Sequence, residues 1–227
     1  MPLLVAIYLV ARWEVHAFWS IGFSPDGTML VTTSGTFGGQ PSDLRVWDPE
    51  MRQELFHFRH PSGVLVAKFS PDGKTLAAGN WDGTISLWEV ATWRELRVLK
   101  AHESVVRSVA FSPDSEKLVT SCVDGSVKLW DVATGAVESE VSHGGYVNEI
   151  ALSPDGKTLA TAGERPVKLW SITGGKVELL PTSLANTTEP VTFSPDGKMI
   201  VAEDTSTPGT ISFWDSATAQ VSMSIAT

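Results

Sequence analysis

His102, Asp124 and either Thr120 or Ser121 supply the side-chain types of a nucleophilic triad: a hydroxyl to attack, an imidazole to take its proton and a carboxylate to orient the ring. Thr120 and Ser121 are neighbours in an alternating, β-branched stretch, so they point to opposite faces of a strand. Only one of them can share a site with His102. His57 and His60 form a His-x-x-His pair, but on an extended chain an odd separation puts the two rings on opposite faces, which argues against a shared metal. Cys122 is the single cysteine, so no intramolecular disulfide forms, and histidines at 16, 57, 60, 102 and 143 give no zinc-type spacing with it. No basic residue adjoins Cys122 to favour its thiolate, and it reads as a small residue at a strand end. No metal or cofactor is expected.

The 227 residues are 42% hydrophobic, as in an ordinary globular domain, but include nine tryptophans, several times the usual share. Seventeen basic against twenty-six acidic side chains give a formal charge of -9, a field that repels phosphate backbones, so no nucleic-acid partner is expected. No apolar run reaches the roughly 18 residues that cross a bilayer. No membrane partner is therefore expected; the longest run, Leu3 to Ala11, lacks the basic n-region of a secretory signal and is followed by Arg12 and Trp13, so a cytoplasmic location is the default.

The tryptophans are explained by their spacing. Ser-Pro-Asp starts at Ser24, Ser70, Ser112, Ser153 and Ser194, at intervals of 46, 42, 41 and 41 residues. A second series runs in phase with it: Trp47-Asp48, Trp88-Glu89, Trp130-Asp131, Trp170-Ser171 and Trp214-Asp215. Within the third copy, Ser108–Ser112, Lys117–Cys122, Ser126–Asp131 and Ala136–Val141 each have the short, alternating, β-branched character of a strand. Ser-Pro-Asp-Gly is a turn sequence, with Pro where its fixed φ fits and Gly at the fourth position, replaced by Ser115 in the third copy. One four-stranded sheet cannot bury both of its faces, whereas radial stacking of several can.

With these two motifs the chain resembles the WD-repeat β-propeller family over about residues 16 to 226. TolB-like propellers share the Ser-Pro-Asp-Gly turn but are not expected to end a third strand in Leu129-Trp130-Asp131. The resemblance implies an all-β propeller of four-stranded antiparallel blades. It also implies a structural tetrad in the third copy, His102, Thr120, Asp124 and Trp130, with Thr120 as a hydrogen-bond bridge and not an activated nucleophile. The second copy has Ala78 in place of the hydroxyl, the fourth Arg165 in place of the Asp, and the fifth lacks both His and hydroxyl. Residues 1–15 read as an apolar segment forming an outer strand, and 16–227 as the propeller, with repeats at about 16–57, 58–98, 99–140, 141–180 and 181–227. Five blades are fewer than the seven usual in this family, so the ring is either closed with five or an open arc of a larger one; the arc is favoured because two segments, Leu3–Ala11 and Gln220–Thr227, compete for one outer edge.

The two faces of such a disc are treated differently by the sequence. From motif Pro to Trp the spacing is 22, 17, 17, 16 and 19 residues, so length variation concentrates in the link between second and third strands. Variable loops on a fixed scaffold are where recognition sits. This points to a binding platform, and the resemblance implies a non-catalytic scaffold for a protein or peptide partner, with Trp81 expected as an apolar anchor and Asp43 and Glu164 as rim charges. Phe18 and Trp19 are expected to pack within the blades, and Lys68 and Glu149 to be the ionisable residues of the inner strands, too few for catalysis there. Self-association through open blade edges is the alternative.

Overall fold

A computed structural model describes residues 17–35, 38–164, 166–185, 187–207 and 209–226. The proposed outer strand Leu3–Ala11, His16 and Arg165 lie outside them. Twenty strands form five separate four-stranded antiparallel sheets, each built from consecutive strands in sequence order. Blade 1 comprises β1 (Ala17–Phe23), β2 (Leu30–Gly35), β3 (Ser42–Asp48) and β4 (Gln53–His60). Blade 2 follows with β5 (Val64–Phe69), β6 (Thr75–Asn80), β7 (Thr84–Glu89) and β8 (Arg94–Lys100). Blade 3 is β9 (Val106–Phe111), β10 (Lys117–Cys122), β11 (Ser126–Asp131) and β12 (Val137–Ser142). Blade 4 is β13 (Val147–Leu152), β14 (Thr158–Gly163), β15 (Val167–Thr173) and β16 (Lys176–Leu184), and blade 5 is β17 (Thr187–Phe193), β18 (Met199–Asp204), β19 (Thr210–Asp215) and β20 (Val221–Ala226). No helix occurs among the described residues, and none is long and apolar enough to cross a membrane.

The core lies between blades. One apolar cluster joins Ile85 and Leu87 of blade 2 to Val106, Val109 and Trp130 of blade 3, and equivalent clusters join blades 1 and 2, 3 and 4, and 4 and 5. The first strand of each blade packs against that of the next from β1 to β17. Among the described residues no extended contact joins blade 5 to blade 1. All five first strands nevertheless border one central cavity of about 610 Å³.

The Ser-Pro-Asp turns explain their own constancy. In every copy the Ser Oγ donates to the Asp Oδ1 at 2.5–2.6 Å and accepts the N–H five residues on at 2.9 Å. The Ser hydroxyl bond is the main cause holding the carboxyls of Asp26, Asp114, Asp155 and Asp196 below the usual range. Positive φ at the fourth turn residue suits Gly, and Ser115 adopts it too, at 65°, while its Oγ accepts the N–H of Asp72 from the preceding blade at 3.0 Å.

Candidate functional site

Three of the four tetrad residues are in direct contact. Trp130 Nε1 donates to Thr120 Oγ1 at 2.9 Å, and Thr120 Oγ1 lies 2.8 Å from His102 Nε2. Asp124 does not touch the ring. Ser126 bridges them: its Oγ is 2.7 Å from His102 Nδ1 and 2.6 Å from Asp124 Oδ1. The carboxylate can only accept, so the single Ser126 proton points to Asp124 and His102 Nδ1–H donates to Ser126. Nε2 is then the lone-pair nitrogen and receives the Thr120 proton. Every donor in the row from Trp130 to Asp124 has one acceptor.

Burial opposes a charge on His102 and pushes its pKa down to about 4. Burial also works against the Asp124 carboxylate, but the hydroxyl and N–H of Ser126 hold its pKa below the usual range. The hydroxyl–imidazole geometry of a nucleophile exists at Thr120, yet this side chain is wholly buried and its oxygen already takes the Trp130 N–H. Ser121 is on the opposite face, buried, with no partner for its hydroxyl. His102, Cys122 and Asp124 place potential metal-ligand atoms within 4.8 Å of one another. Both His102 nitrogens are committed to hydroxyls, and burial pushes the Cys122 thiol up to about 11, far from the thiolate a metal needs.

The other copies show what each missing member does. In blade 4, Trp170 donates to Thr161 at 2.9 Å and Thr161 meets His143 through Nδ1 at 2.8 Å, so this ring presents the opposite nitrogen. In blade 1, Trp47 reaches Thr32 at 2.9 Å. Blade 2 has Ala78 in place of the hydroxyl, and His60 turns to the Ser62 hydroxyl, 2.9 Å from its Nδ1. In blade 5, Ala202 provides no acceptor, and the buried Trp214 Nε1 has none. His57 and His60 part company: His57 bonds Asp43 at 3.0 Å, on the side away from Ser62.

The second-to-third links and the links between blades lie at the same end of the blades, tied together by backbone bonds such as Trp81 N–H to Gly63 O, Val123 N–H to Val105 O and Glu164 N–H to Tyr146 O. Gly83 and Gly125 have φ of 82° and 86° in these links, and a Cβ at Gly83 would collide with the His102 carbonyl. Trp81 is half-buried, edge-on to Trp19 with ring centroids 6.4 Å apart. Glu164 is exposed. Asp43 is not a bare rim acid: burial raises its pKa, but the His57 hydrogen bond and the charges of His57, Arg45 and Arg59 outweigh that and hold it down. It belongs to a charge cluster on β3 and β4. Trp93, in a left-handed conformation, stacks on Phe56 of blade 1 at 4.8 Å and covers the blade edge.

Phe18 departs from expectation: it is exposed, and only Trp19 is partly covered. The cavity also holds more charge than the inner-strand reading allowed. Arg107 and Glu189 line it with Lys68 and Glu149, because β9 and β17 begin before the apolar alternation does. Arg107 Nε donates to Asn148 Oδ1 at 3.0 Å, and Asn148 Nδ2 to Glu189 Oε1 at 2.8 Å, at matching positions of three successive blades. A 41-residue recurrence of polar residues was the available signal. Burial raises the Glu149 pKa, and its Oε2 accepts the Val191 N–H at 2.9 Å.

Repeated blades, Trp-anchored hydroxyl networks and packing from sheet to sheet define a β-propeller-type repeat protein. The sequence model of WD40 (WD domain, G-beta repeat) matches residues 8–48, 52–89, 93–131 and 137–171, and the chain belongs to this family. It is similar to Protein hir1 of Schizosaccharomyces pombe, 26% identical over 227 residues, covering 82% of this chain and 24% of that protein. It is 30% identical over 219 residues to apoptotic protease-activating factor 1 of Homo sapiens, covering 92% of this chain and 17% of that one. WD repeat-containing protein VIP3 of Arabidopsis thaliana is 30% identical over 104 residues, covering 40% of this chain and 31% of its own length. The chain thus spans less than a third of each of these relatives.

Proposed function

We propose that the chain is a non-catalytic interaction scaffold that presents the second-to-third-link face to a protein or peptide partner. WD repeats support a protein-interaction role in general. The observation that carries the choice of face is a contrast. The Ser-Pro-Asp turns on the other face repeat the same hydrogen bonds five times, whereas the links opposite them differ in length. Exposed acids, Glu103, Glu164 and Glu203, lie in or beside these links, with the half-buried Trp81 among them. A partner with basic and aromatic groups complements this surface, while the net charge of -9 works against nucleic acid. The reactive geometry at Thr120 and His102 serves packing, since both are buried and bonded within the blade.

The test is carboxyl-to-amine cross-linking of the protein with its co-purified partners, followed by mass spectrometry. Links from Glu103, Glu164 and Glu203 to partner lysines are expected. Links concentrated at Asp26, Asp72, Asp114 and Asp155 would place the partner on the opposite face and overturn the assignment.

A further inference from the structure

The repeat provides an internal standard for each seam between blades. Phe23, Phe69, Phe111 and Phe193 end their first strands in one register, each paired with a Leu or Ile of the second strand. Leu152 holds that register in blade 4, opposite Leu159. Phe69, Phe111 and Phe193 each pack into the apolar cluster that joins their blade to the preceding one. The seam between blades 3 and 4 has Leu152 in that place, and so no ring. It lacks a second filler too. Met29 packs into the seam of blades 1 and 2, whereas its equivalent Lys117 turns its ammonium to Asp131 at 3.0 Å and Glu138 at 2.5 Å. A recess of about 230 Å³ opens between blades 3 and 4 at this point, beside the Ser-Pro-Asp turns. Its walls are apolar: the buried Val119 and Leu129 of blade 3, and Leu152 and Ile172 of blade 4. The exposed Asp114 and Asp155 stand at its rim.

We propose that this recess binds a small molecule made of one aromatic ring and a short chain ending in a cationic amine, the ring entering the seam beside Leu152 and the amine lying against Asp114 and Asp155. The size fits: a closed cavity of about 150 Å³ lined by comparable side chains takes up benzene, so this larger, open recess has room for a ring and a short chain. The charge fits as well. The hydroxyls of Ser112 and Ser153 hold the two carboxyls below the usual range, so both are ionised at neutral pH. In each, Oδ1 closes its own turn, which leaves Oδ2 for a ligand. Lys117, the cation of the lining, is already shared by two other carboxylates and does not neutralise the rim. The turns at the rim are those that every blade carries, so the recess itself is what sets this seam apart. It suits a molecule that fits inside it, because nothing peculiar to this seam extends over the surface for a macromolecule to follow. The site is on the face opposite the partner surface proposed above and does not depend on it.

Titration calorimetry of the full chain with 2-phenylethylamine, 3-phenylpropionate and butylamine tests the proposal without any protein partner. 2-Phenylethylamine is expected to bind at one site, with 3-phenylpropionate at least tenfold weaker for its charge and butylamine at least tenfold weaker for want of a ring. Leu152→Phe, which restores the residue of the other copies, should weaken binding of 2-phenylethylamine at least tenfold. Asp155→Asn, which keeps the Oδ1 acceptor of the turn, should weaken it at least threefold. A thermal melt of each variant confirms that it folds; if Leu152→Phe melts early, methyl chemical shifts of the wild type take its place, with changes at Val119, Leu152 and Ile172 expected on adding the amine. No binding of 2-phenylethylamine, equal binding of 3-phenylpropionate or butylamine, binding that survives Leu152→Phe, or methyl shifts that change only elsewhere would each overturn it.

Discussion

The indole N–H of Trp130 ends on the hydroxyl of Thr120 at 2.9 Å, and that contact fixes the direction of the hydrogen bonds beyond it. Thr120 must pass its own proton to His102, and His102 must give its other ring proton to Ser126, which donates to Asp124. The polar heart of blade 3 is therefore a directed row of five residues, of which Ser126 is the bridging member.

His102→Ala and Ser126→Ala should each destabilise the protein by about 1–3 kcal/mol, because each leaves buried neighbours without a partner. Urea denaturation monitored by Trp fluorescence provides the measurement. Ser121→Ala is the control: its buried hydroxyl bonds nothing, so its removal should be neutral or slightly stabilising. Equal losses at Ser121 and Ser126 would show that the row has no special role.

The row also predicts a pH dependence. Folded His102 resists protonation until about pH 4, whereas in the unfolded chain it titrates near its ordinary value of 6.5. Below pH 6.5 the unfolded state binds the extra proton, so stability is lost as the pH falls towards 4, by up to about 3 kcal/mol from this group. The urea midpoint should fall across that window, and Ser126→Ala, which frees Nδ1, should change the slope. A midpoint constant from pH 7 to 4.5 would contradict the assigned burial of a neutral ring.

Trp214 gives the converse experiment. Its buried Nε1 has no acceptor because Ala202 stands where blades 1, 3 and 4 have Thr32, Thr120 and Thr161. Ala202→Thr supplies the oxygen and should stabilise blade 5 by about 1 kcal/mol. Ala202→Ser provides the same acceptor with less bulk, so a loss in both variants would count against the missing bond.

Cys122 is fully buried and its thiol is pushed up to about 11, so native protein should react with a disulfide reagent only through opening of blade 3. Reaction rates that rise together with the destabilisation in Ser126→Ala are expected. Immediate labelling of the native wild type would show that β10 is open to solvent.

The blades were legible because two motifs recur in phase and each marks a fixed point, the Asp-closed turn before the second strand and the Trp at the end of the third. The polar row was legible only in part. Ser126 follows Asp124 by two residues in an ordinary turn position, and nothing in its spacing distinguishes a bridge from a turn serine. Arg107, Asn148 and Glu189 lie outside the apolar alternation used to bound the inner strands, so the ladder along the cavity escaped notice. Phe18 looked like a packing residue because hydrophobicity records what a side chain prefers and not whether a neighbouring blade lies over it. Asp43 looked like a rim charge because His57 and Arg59 approach it only once β3 and β4 pair.

Partner affinity in variants of the two faces tests the scaffold reading most directly. With a cross-linked partner purified, its dissociation constant should rise at least tenfold for Trp81→Ala, while Glu164→Ala should chiefly slow association and reduce its salt dependence. Asp155→Asn, on the opposite face, should leave affinity unchanged. Affinity that survives Trp81→Ala and Glu164→Ala but is lost with Asp155→Asn in a protein that still melts normally would contradict the account.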